Sequence, residues 1–477
     1  MMDLTVREIA ECCKGALTLR GDIVDGDTCV SSVSIDSRQM EEGGVFIATI
    51  GERVDGHSFV PSVFARGAAL AVVQKTPGQT EAECGRPGAQ WGSYVLVEDT
   101  LQALREIAEY YRRKLAVKVV GITGSSGKTS TKELVGAVLS EKYRVLKTEG
   151  NLNNEIGVPL TLLSIRPAHQ VAVVEMGISD FGEMHRLSKM ARPDICVITN
   201  IGQSHLKDLK TRDGILKAKS EIFDYMAEDG EICLNGEDDK LCGLREVKGR
   251  KPHFFGREGH MEEGISGDVV AGDIKGKGLW GSDAVIAKTP VHIPLPGEHM
   301  VLNAAAAVCV AGLLGLTGEE MAAGLGKARA VGGRDNVVRL PGHDLIDGCY
   351  NANPASMKAA INLLALADTQ KAAVLGDMFN LGEDSRMLHG QVGAYAARKG
   401  IDRIICVGGE SRYMYLEAEA ALGPGQRAVY FPDRDALMEA LEDKARDLIP
   451  EGWAVLVKAS HGMEFDRVRD FLCGGPG

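Results

Sequence analysis

The chain has 477 residues, 44% of them hydrophobic and 25% charged, which is typical of a globular protein with about three domains. Its formal net charge of −12 argues against a protein that coats nucleic acid, because such proteins neutralise phosphates with excess Lys and Arg. No apolar run is long enough to span a bilayer, so we expect no membrane insertion.

The start of the chain and its cysteines bear on the compartment. The first residues, MMDLTVREIAECC, lack the basic and apolar segments of a signal peptide. The 11 cysteines include no C-x-x-C pair, which favours reduced thiols over a disulfide framework or a zinc site. We therefore expect a cytoplasmic protein.

The first predicted domain covers residues 1–113 and mixes helices with strands. An amphipathic helix is predicted in VREIAECCKGAL, and strands are predicted in GGVFIATIG and AALAVV. Residues 74–92 are rich in Gly, Pro and polar side chains and predict a surface loop. The helical pattern TLQALREIAEYYRRKL ends this domain.

The second predicted domain covers residues 114–331 and alternates strands with helices. Its strands VKVVGIT, VAVVEMG and ICVITNIG are short and continuously apolar, as buried parallel strands usually are. A helix is predicted in KTSTKELVGAVLSEKY. Residues 250–295 lose the alternation and predict short strands before the helix NAAAAVCVAGLLG. We expect a parallel sheet of the P-loop ATPase type, flanked by helices.

Alternation resumes in residues 332–477, the third predicted domain. Its strand-like runs are HDLIDGCY, KAAVLGDM, DRIICVGG and WAVLVKAS, with helical stretches between them. This pattern predicts a Rossmann-like, doubly wound domain. The whole chain is thus predicted to be an α/β protein of three domains.

A glycine-rich stretch, GITGSSGKTS, follows the first strand of the second domain. It departs from the usual pattern G-x-x-x-x-G-K-[ST], because Ile122 stands where the first glycine belongs. A plain Gly/Ser turn is the alternative, but the lysine and threonine favour a phosphate loop whose Lys128 neutralises phosphate and whose Thr129 reaches Mg²⁺. The predicted ATP-binding residues are Gly124, Ser125, Ser126, Gly127, Lys128, Thr129 and Ser130.

Three more ionisable residues follow the central strands. Glu175 ends VAVVEMG, His205 lies in the loop after ICVITNIG, and Lys219 lies on the helix predicted in ILKAKSEIF. Alone, each residue is more often solvated or structural. Beside a phosphate loop, a carboxylate at the end of a parallel strand is well placed to hold Mg²⁺.

The form G-x-T-G-x-x-G-K-[ST] resembles that of the Mur ligase superfamily, which also includes folylpolyglutamate synthetases. Longer motifs resemble the MurF-type ligases and follow the same order over essentially the whole chain. These motifs are SIDSR, GERVDGHSF, NNEIGVP, GEHMVLNAAAA, YNANPASMKAA and LGDMFNLGEDS.

This resemblance implies an ATP-dependent, ADP-forming amide-bond ligase. Such an enzyme joins D-alanyl-D-alanine to UDP-N-acetylmuramoyl-tripeptide through an acyl phosphate and supplies the pentapeptide precursor of peptidoglycan. Its partners would be these two small molecules, with ATP and two Mg²⁺ ions as cofactors. Nothing in the sequence demands more than a monomer.

The resemblance also implies roles for residues of the central domain. His205 would approach the second Mg²⁺, and Lys219 would be carbamylated by CO₂, so that Thr129, Glu175, His205 and carbamylated Lys219 hold the metal. A carbamate requires a lowered lysine pKa, which burial or neighbouring cations would supply. Arg334, at the hinge into the third domain, would reach the transferred phosphoryl group when the domains close. Asn303 would lie near the adenine, although an Asn that begins a helix is equally often a cap.

Substrate residues are implied in the same way. Ser37 and Arg38 of SIDSR would hold the UDP part, although the motif alone slightly favours a polar turn. Asn153 and Asn154 would contact the substrate, or else only stabilise their loop. Three residues would contact the amine substrate or the nucleotide: Asp347, Tyr350 and Asn351.

Two segments depart from the family pattern. The usual form has two acidic residues and a serine before Tyr350, whereas this chain has Ile346, Asp347, Gly348 and Cys349. His461 replaces the arginine of the usual KGSR. If that arginine contacts substrate, the pH dependence near neutrality would differ here, because histidine titrates in that range.

Three alternative functions are less consistent with the sequence. A ligase that adds meso-diaminopimelate would carry DNPR in its last domain, and this chain has none. A folylpolyglutamate synthetase would lack the SIDSR and DGH region. A nucleotide-binding scaffold without chemistry would not need Lys128, Glu175, His205 and Lys219 in these places. The sequence leaves open whether the tripeptide ends in lysine or diaminopimelate, and whether D-Ala-D-Ala is preferred over D-Ala-D-lactate.

Overall fold

A computed structural model of the chain describes residues 2–21, 24–51, 54–79, 91–202, 206–329, 336–349, 352–379 and 381–474. The chain divides into two compact units. The first comprises Met1–Gly272, Val285–Thr289 and Leu302–Leu325, and the second comprises Asp273–Ala284, Pro290–Val301 and Gly326–Gly477. No helix in the described ranges is both long and apolar enough to cross a membrane.

The N-terminal part forms a five-stranded sheet in the order β1-β5-β4-β3-β2. Only β1 is antiparallel to its neighbour. The strands are β1 (Ala16–Thr18), β2 (Val33–Ser34), β3 (Val45–Ile47), β4 (Leu70–Val73) and β5 (Tyr94–Leu96), and the helices are α1 (Val6–Cys12), α2 (Val60–Ala65) and α3 (Thr100–Lys114). The predicted helices and strands of this part are confirmed.

Helix α3 joins the N-terminal sheet to the central part of the same unit. Asp99 caps its first turn by accepting hydrogen bonds from the backbone of Leu101 and Gln102. The buried apolar side chains of α3 are Ala103, Leu104, Ile107, Ala108 and Tyr111. The Tyr111 hydroxyl donates to the Ile165 carbonyl at 2.8 Å. Residues from both parts therefore form one continuous apolar core.

Seven strands of the central sheet are parallel to their neighbours. Their order across the sheet is β7-β8-β6-β9-β10-β11-β12. Its strands are β6 (Lys118–Thr123), β7 (Val145–Lys147), β8 (Val171–Glu175), β9 (Ile195–Ile198), β10 (Glu231–Asn235), β11 (His253–Arg257) and β12 (Val269–Gly276). The helices are α4 (Lys128–Leu139), α5 (Gly157–Leu163), α6 (Glu183–Ala191), α7 (Leu206–Leu209) and α8 (Arg212–Ser220). The predicted parallel sheet is confirmed.

The short strands expected in residues 250–295 are also present. Strands β13 (Ser282–Ile286) and β14 (Thr289–Ile293) follow β12, and then come the helices α9 (Glu298–Leu313) and α10 (Gly318–Gly326). The interpretation of Asn303 as a cap at the start of a helix is wrong, because α9 already begins at Glu298. Asn303 therefore lies in the second turn, inside the helix.

The C-terminal sheet has the order β15-β16-β20-β17-β18-β19, and every pair is parallel except the edge pair β15–β16. Its strands are β15 (Asn336–Arg339), β16 (Asp344–Gly348), β17 (Lys371–Gly376), β18 (Arg403–Val407), β19 (Arg427–Phe431) and β20 (Ala454–Lys458). The helices are α11 (Pro354–Leu364), α12 (Ser385–Arg398), α13 (Ser411–Ala421), α14 (Arg434–Leu448) and α15 (Asp466–Leu472).

Two apolar clusters cover the two faces of this C-terminal sheet. Along β17, Ala373 and Leu375 belong to one cluster, whereas Ala372 and Val374 belong to the other. Because successive side chains of a strand point to opposite faces, both faces are buried under helices. The predicted doubly wound domain is confirmed.

Candidate active site

The glycine-rich loop lies between β6 and α4, at the carboxyl edge of the central sheet. Gly124 has φ +149° and Gly127 has φ +78°, backbone conformations that favour glycine. A Cβ at Gly124 would also overlap the Thr199 hydroxyl. The N-terminus of α4 follows directly, which places the positive end of its dipole at the loop.

The end of the neighbouring strand β9 holds this loop in shape. Thr199 Oγ1 donates to the Ser126 carbonyl at 2.6 Å. Asn200 Oδ1 accepts from the Ser126 backbone N–H at 3.0 Å, and Asn200 Nδ2 donates to Ser126 Oγ at 2.9 Å. Neither Thr199 nor Asn200 was among the predicted site residues. Their signal was the polar pair directly after an apolar strand, at the edge of the sheet that carries the loop.

Lys128 starts α4 and bends back over the loop. Its Nζ donates to the Gly124 carbonyl at 2.8 Å. Burial lowers the pKa of Lys128, and the charge of Glu175 opposes that shift. The ammonium group is therefore held where a phosphate in the loop would meet it.

Glu175 ends β8 and is only 1% exposed. Its Oε1 accepts from Thr129 Oγ1 at 3.2 Å and from Asn153 Nδ2 at 2.8 Å. Its Oε2 is buried and has no hydrogen-bond partner. A buried carboxylate that contacts a threonine hydroxyl through Oε1 fits a magnesium ion, which prefers oxygen ligands.

No group of three or more His, Cys, Asp or Glu residues with metal-binding geometry occurs in the described part of the chain. Glu175 and Thr129 would therefore supply only part of a coordination shell among the described residues. This suits Mg²⁺, which usually keeps several waters and binds substrate phosphates besides one or two carboxylates.

Lys219 lies on α8 and is also only 1% exposed. Burial, and then the positive charge of Lys128, lower the pKa of Lys219 to about 7. Asn303 approaches the loop from α9, since a Cβ on Gly127 would lie 3.1 Å from Asn303 Oδ1. The structure thus brings Lys128, Glu175, Lys219 and Asn303 to one loop.

The SIDSR segment lies by a cleft of about 400 Å³ in the first unit. One wall carries Ser34 and Asp36 of that segment, and the opposite wall carries Glu149 and Leu152. Arg38 is 85% exposed and forms a two-point ion pair with Asp36, at 3.0 and 2.8 Å. Ser37 and Arg38 do not line the cleft themselves.

A second cleft, of about 520 Å³, lies beside Lys128 and includes Asn153, Asn154 and Arg105. Asn153 binds Glu175, as described above. Asn154 Oδ1 accepts from the backbone N–H groups of Ile156 at 3.1 Å and Gly157 at 2.9 Å, so it supports the start of α5. This contact agrees with the alternative that Asn154 stabilises its loop.

The remaining predicted residues either lie outside the described part of the chain or belong to the second unit. His205, Arg334, Tyr350 and Asn351 lie outside the described residues. In the second unit, Asp347 Oδ1 accepts from the Cys349 N–H at 3.0 Å, and its Oδ2 pairs with Arg469 at 3.4 Å. His461 is exposed at the start of a short 3₁₀ helix.

Three family models match successive parts of the chain. Residues 30–112 match "Mur ligase family, catalytic domain", residues 122–311 match "Mur ligase middle domain", and residues 333–461 match "Mur ligase, glutamate ligase domain". The matches follow the order of the three sheets.

Full-length relatives and solved structures are similar as well. The UDP-N-acetylmuramoyl-tripeptide–D-alanyl-D-alanine ligase of Bacillus subtilis (strain 168) is 35% identical over 100% of both chains, and that of Escherichia coli (strain K12) is 34% identical over 94% of this chain and 95% of its own. A crystal structure of MurF from Acinetobacter baumannii superposes with a TM-score of 0.82 at 33% identity and 98% coverage of both chains. MurF ligase from Thermotoga maritima in complex with ADP gives a TM-score of 0.68 at 28% identity, over 93% of this chain and 97% of its own. The chain therefore belongs to the Mur ligase family, and within that family to the MurF-type ligases.

Proposed function

We propose that the protein is the ATP-dependent ligase that joins D-alanyl-D-alanine to UDP-N-acetylmuramoyl-tripeptide. The observation that carries this proposal is the convergence of Lys128, Glu175 and Lys219 on one glycine-rich loop. Full-length similarity to ligases of that name supports the identity of the two substrates. The products are UDP-MurNAc-pentapeptide for peptidoglycan synthesis, ADP and phosphate.

The loop residues Gly124–Ser130 hold the triphosphate of ATP. Backbone N–H groups at the start of α4 face the phosphates, and Lys128 exchanges its bond to the Gly124 carbonyl for a phosphate oxygen. Asn303, which lies against Gly127, is proposed to contact the nucleotide. Arg334 is proposed to reach the transferred phosphoryl group once both substrates are bound.

Thr129 and Glu175, whose hydroxyl and carboxylate are in contact, are proposed to hold one Mg²⁺. His205 and a carbamate on Lys219 are proposed to hold a second ion. When bound, the metal neutralises charge on the phosphates. The support for the carbamate is the burial of Lys219 next to Lys128, which leaves much of its amine uncharged near neutral pH and therefore able to bond to CO₂.

The reaction has two steps. The terminal carboxylate of the tripeptide attacks the γ-phosphate, ADP leaves, and an acyl phosphate forms. The neutral amine of D-alanyl-D-alanine then attacks the acyl carbon, phosphate leaves, and the amine loses a proton. The chain contributes mainly alignment and the neutralisation of two anions that would otherwise repel.

The two clefts of the first unit suit a long UDP-sugar peptide. Glu149 and Leu152 line the cleft at SIDSR and residues 153–156 line the cleft at Lys128, so the two clefts are neighbours along one segment. We assign the UDP part to the first, where Ser37 and Arg38 lie close, and the peptide end to the second, where Asn153 and Asn154 lie. Arg38 would exchange Asp36 for a phosphate.

The remaining assignments complete the proposal. Domains of residues 1–113, 114–331 and 332–477 would bind the UDP-sugar, ATP and D-alanyl-D-alanine, and Asp347, Tyr350 and Asn351 would contact the amine substrate or the nucleotide. The enzyme would act as a monomer in the cytoplasm, and through cell-wall synthesis it would serve cell shape and division.

Phosphate release from ATP tests this function. We expect release only when UDP-MurNAc-tripeptide and D-alanyl-D-alanine are both present, and almost none from Lys128→Ala. Tripeptides ending in lysine and in meso-diaminopimelate should be compared in the same assay. Release that needs neither substrate, or no release with either tripeptide, would contradict the proposal, and the latter would favour a nucleotide-binding scaffold.

A further inference from the structure

Lys132 is a fully buried lysine, with 0% of its side chain exposed, one turn after Lys128 in α4. The reaction proposed above gives it no role. Lysine is almost never fully buried unless its charge is paired, because removing an ammonium group from water is costly. Its surroundings therefore indicate what the charge is for.

Three oxygen atoms surround the ammonium group of Lys132. The Thr148 carbonyl accepts a hydrogen bond at 2.8 Å. Glu133 Oε1 lies at 3.2 Å, and Glu175 Oε2 lies at 3.7 Å. The third contact matters most, because Oε2 is the carboxylate oxygen that has no hydrogen bond.

Thr148 closes the connection between Lys132 and Glu175 from the other side. Its carbonyl binds Lys132, and its hydroxyl accepts from the Glu175 backbone N–H at 3.0 Å. The buried ammonium group of Lys132 thus contacts the Glu175 carboxylate directly and is linked to the Glu175 backbone through Thr148.

The charges alternate in sign from the surface to this site. Lys147, 46% exposed, pairs with Glu133, Glu133 pairs with Lys132, and Lys132 pairs with Glu175. Glu133 is therefore neutralised from the surface side by Lys147. This leaves Lys132 able to attract the Glu175 carboxylate, and it draws Oε2 while Thr129 and Asn153 donate to Oε1.

We propose that Lys132 is a positioning residue of the nucleotide site, which acts through Glu175 and sets the affinity for the divalent cation that accompanies ATP. Lys132 touches neither nucleotide nor metal. It holds the carboxylate through Oε2, which leaves Oε1 beside the Thr129 hydroxyl, and it links that orientation to the helix that carries Lys128 and Thr129. This inference rests on the metal site of the proposed function.

The test measures the affinity for ADP by calorimetric titration, once with Mg²⁺ and once with EDTA, for the intact chain. The ratio of the two affinities reports the metal site without requiring ligase activity. Partners that orient metal ligands typically change metal affinity about 10- to 100-fold when mutated. We expect Lys132→Met to lower the ratio by about that factor, with little change in EDTA, and Lys132→Arg to restore much of it.

Lys142→Met is the matched control, because it removes an exposed lysine whose ammonium group donates to the Gly315 carbonyl, outside the Lys147–Glu133–Lys132–Glu175 chain. It should keep the ratio of the unaltered chain. If Lys132→Met does not fold, Lys132→Gln, which retains a donor for the Thr148 carbonyl, should lower the ratio in the same way. An unchanged ratio in a folded Lys132 variant, even with a lower melting temperature, would overturn the proposal and leave Lys132 a purely structural residue.

Failure of the inference and failure of the proposed function give different results. If ADP binding by the unaltered chain does not respond to Mg²⁺ at all, the metal site of the proposed function is wrong. If the unaltered chain responds and Glu175→Gln does not, while Lys132→Met responds normally, only the inference about Lys132 is wrong.

Discussion

Burial changes which chemistry the amine of Lys219 can perform. Its pKa of about 7 means that the amine is largely neutral above that pH and largely protonated below it. Only the neutral form bonds to CO₂, so carbamate formation should weaken as the pH falls through 7. A lysine on the surface of the same helix, with an ordinary pKa near 10, would be protonated throughout this range.

We therefore expect Lys219→Ala to lose most ligase activity and to recover part of it with acetate or formate, which replace the missing carboxylate. Lys217→Ala, on the exposed side of α8, should remain active. At a fixed, low concentration of CO₂, activity of the unaltered chain should fall between pH 8 and pH 6, and added bicarbonate should oppose that fall. Initial rates of phosphate release provide the measurement. Full activity of Lys219→Ala, unaffected by bicarbonate or short carboxylates, would exclude the carbamate.

Some of these residues could be predicted from the sequence and others could not. Lys128, Glu175 and Lys219 stand out because a glycine-rich loop, a strand end and a resembled family identify them. Lys132 does not, because a lysine four residues after Lys128 looks like a solvated residue until the fold closes over it. Its burial depends on Thr148 and Glu175, which are distant in the sequence.

At the scale of elements, the phosphate loop depends on its neighbouring strand. The backbone of a glycine-rich loop has many alternative conformations, so its shape must be fixed by outside contacts. The end of β9 supplies them through Thr199 and Asn200, both bonded to Ser126. These contacts would preorganise the loop for the phosphates that it is proposed to bind.

Asn200→Ala should weaken ATP binding while leaving the fold intact. The variant loses an acceptor and a donor for Ser126, each worth about 1 kcal/mol, so the dissociation constant should rise about tenfold or more. Titration with a slowly hydrolysed ATP analogue measures it. Asn362→Ala, which removes a surface hydrogen bond to Tyr395, is the control and should bind as the unaltered chain does. An equal affinity in both variants would show that β9 does not shape the loop.

Element types followed from the sequence better than element ends did. The buried strands of the central and C-terminal sheets are continuously apolar and were predictable. Strands of two or three residues, such as β2 and β7, are too short to show a period. The start of α9 was misplaced because Gly297–Leu302 carries little helical pattern, and the position of Asn303 relative to the loop depends on that start.

At the scale of the whole molecule, the described cores do not follow the three sheets. One apolar cluster combines Ile9, Leu104 and Ile107 of the N-terminal part with Val119 and Leu162 of the central part. The clusters of the C-terminal sheet lie within the second unit. The three sheets are therefore supported by apolar cores that belong to two units. The boundary near residue 113 separates two sheets but does not separate two apolar cores.

This arrangement predicts how fragments of the chain will fold. A fragment of residues 114–331 lacks α3 and exposes the apolar surface that Leu104, Ile107 and Tyr111 cover. At about 1.5–3 kcal/mol for each large side chain, the fragment loses roughly 5–9 kcal/mol of the free energy of unfolding. That loss is comparable to the whole stability of a typical domain, roughly 5–15 kcal/mol. We expect this fragment to show no cooperative transition in urea, followed by circular dichroism, whereas residues 1–331 should unfold cooperatively. Cooperative unfolding of residues 114–331 alone, with a urea dependence that matches their length, would show that the central sheet does not need the N-terminal part.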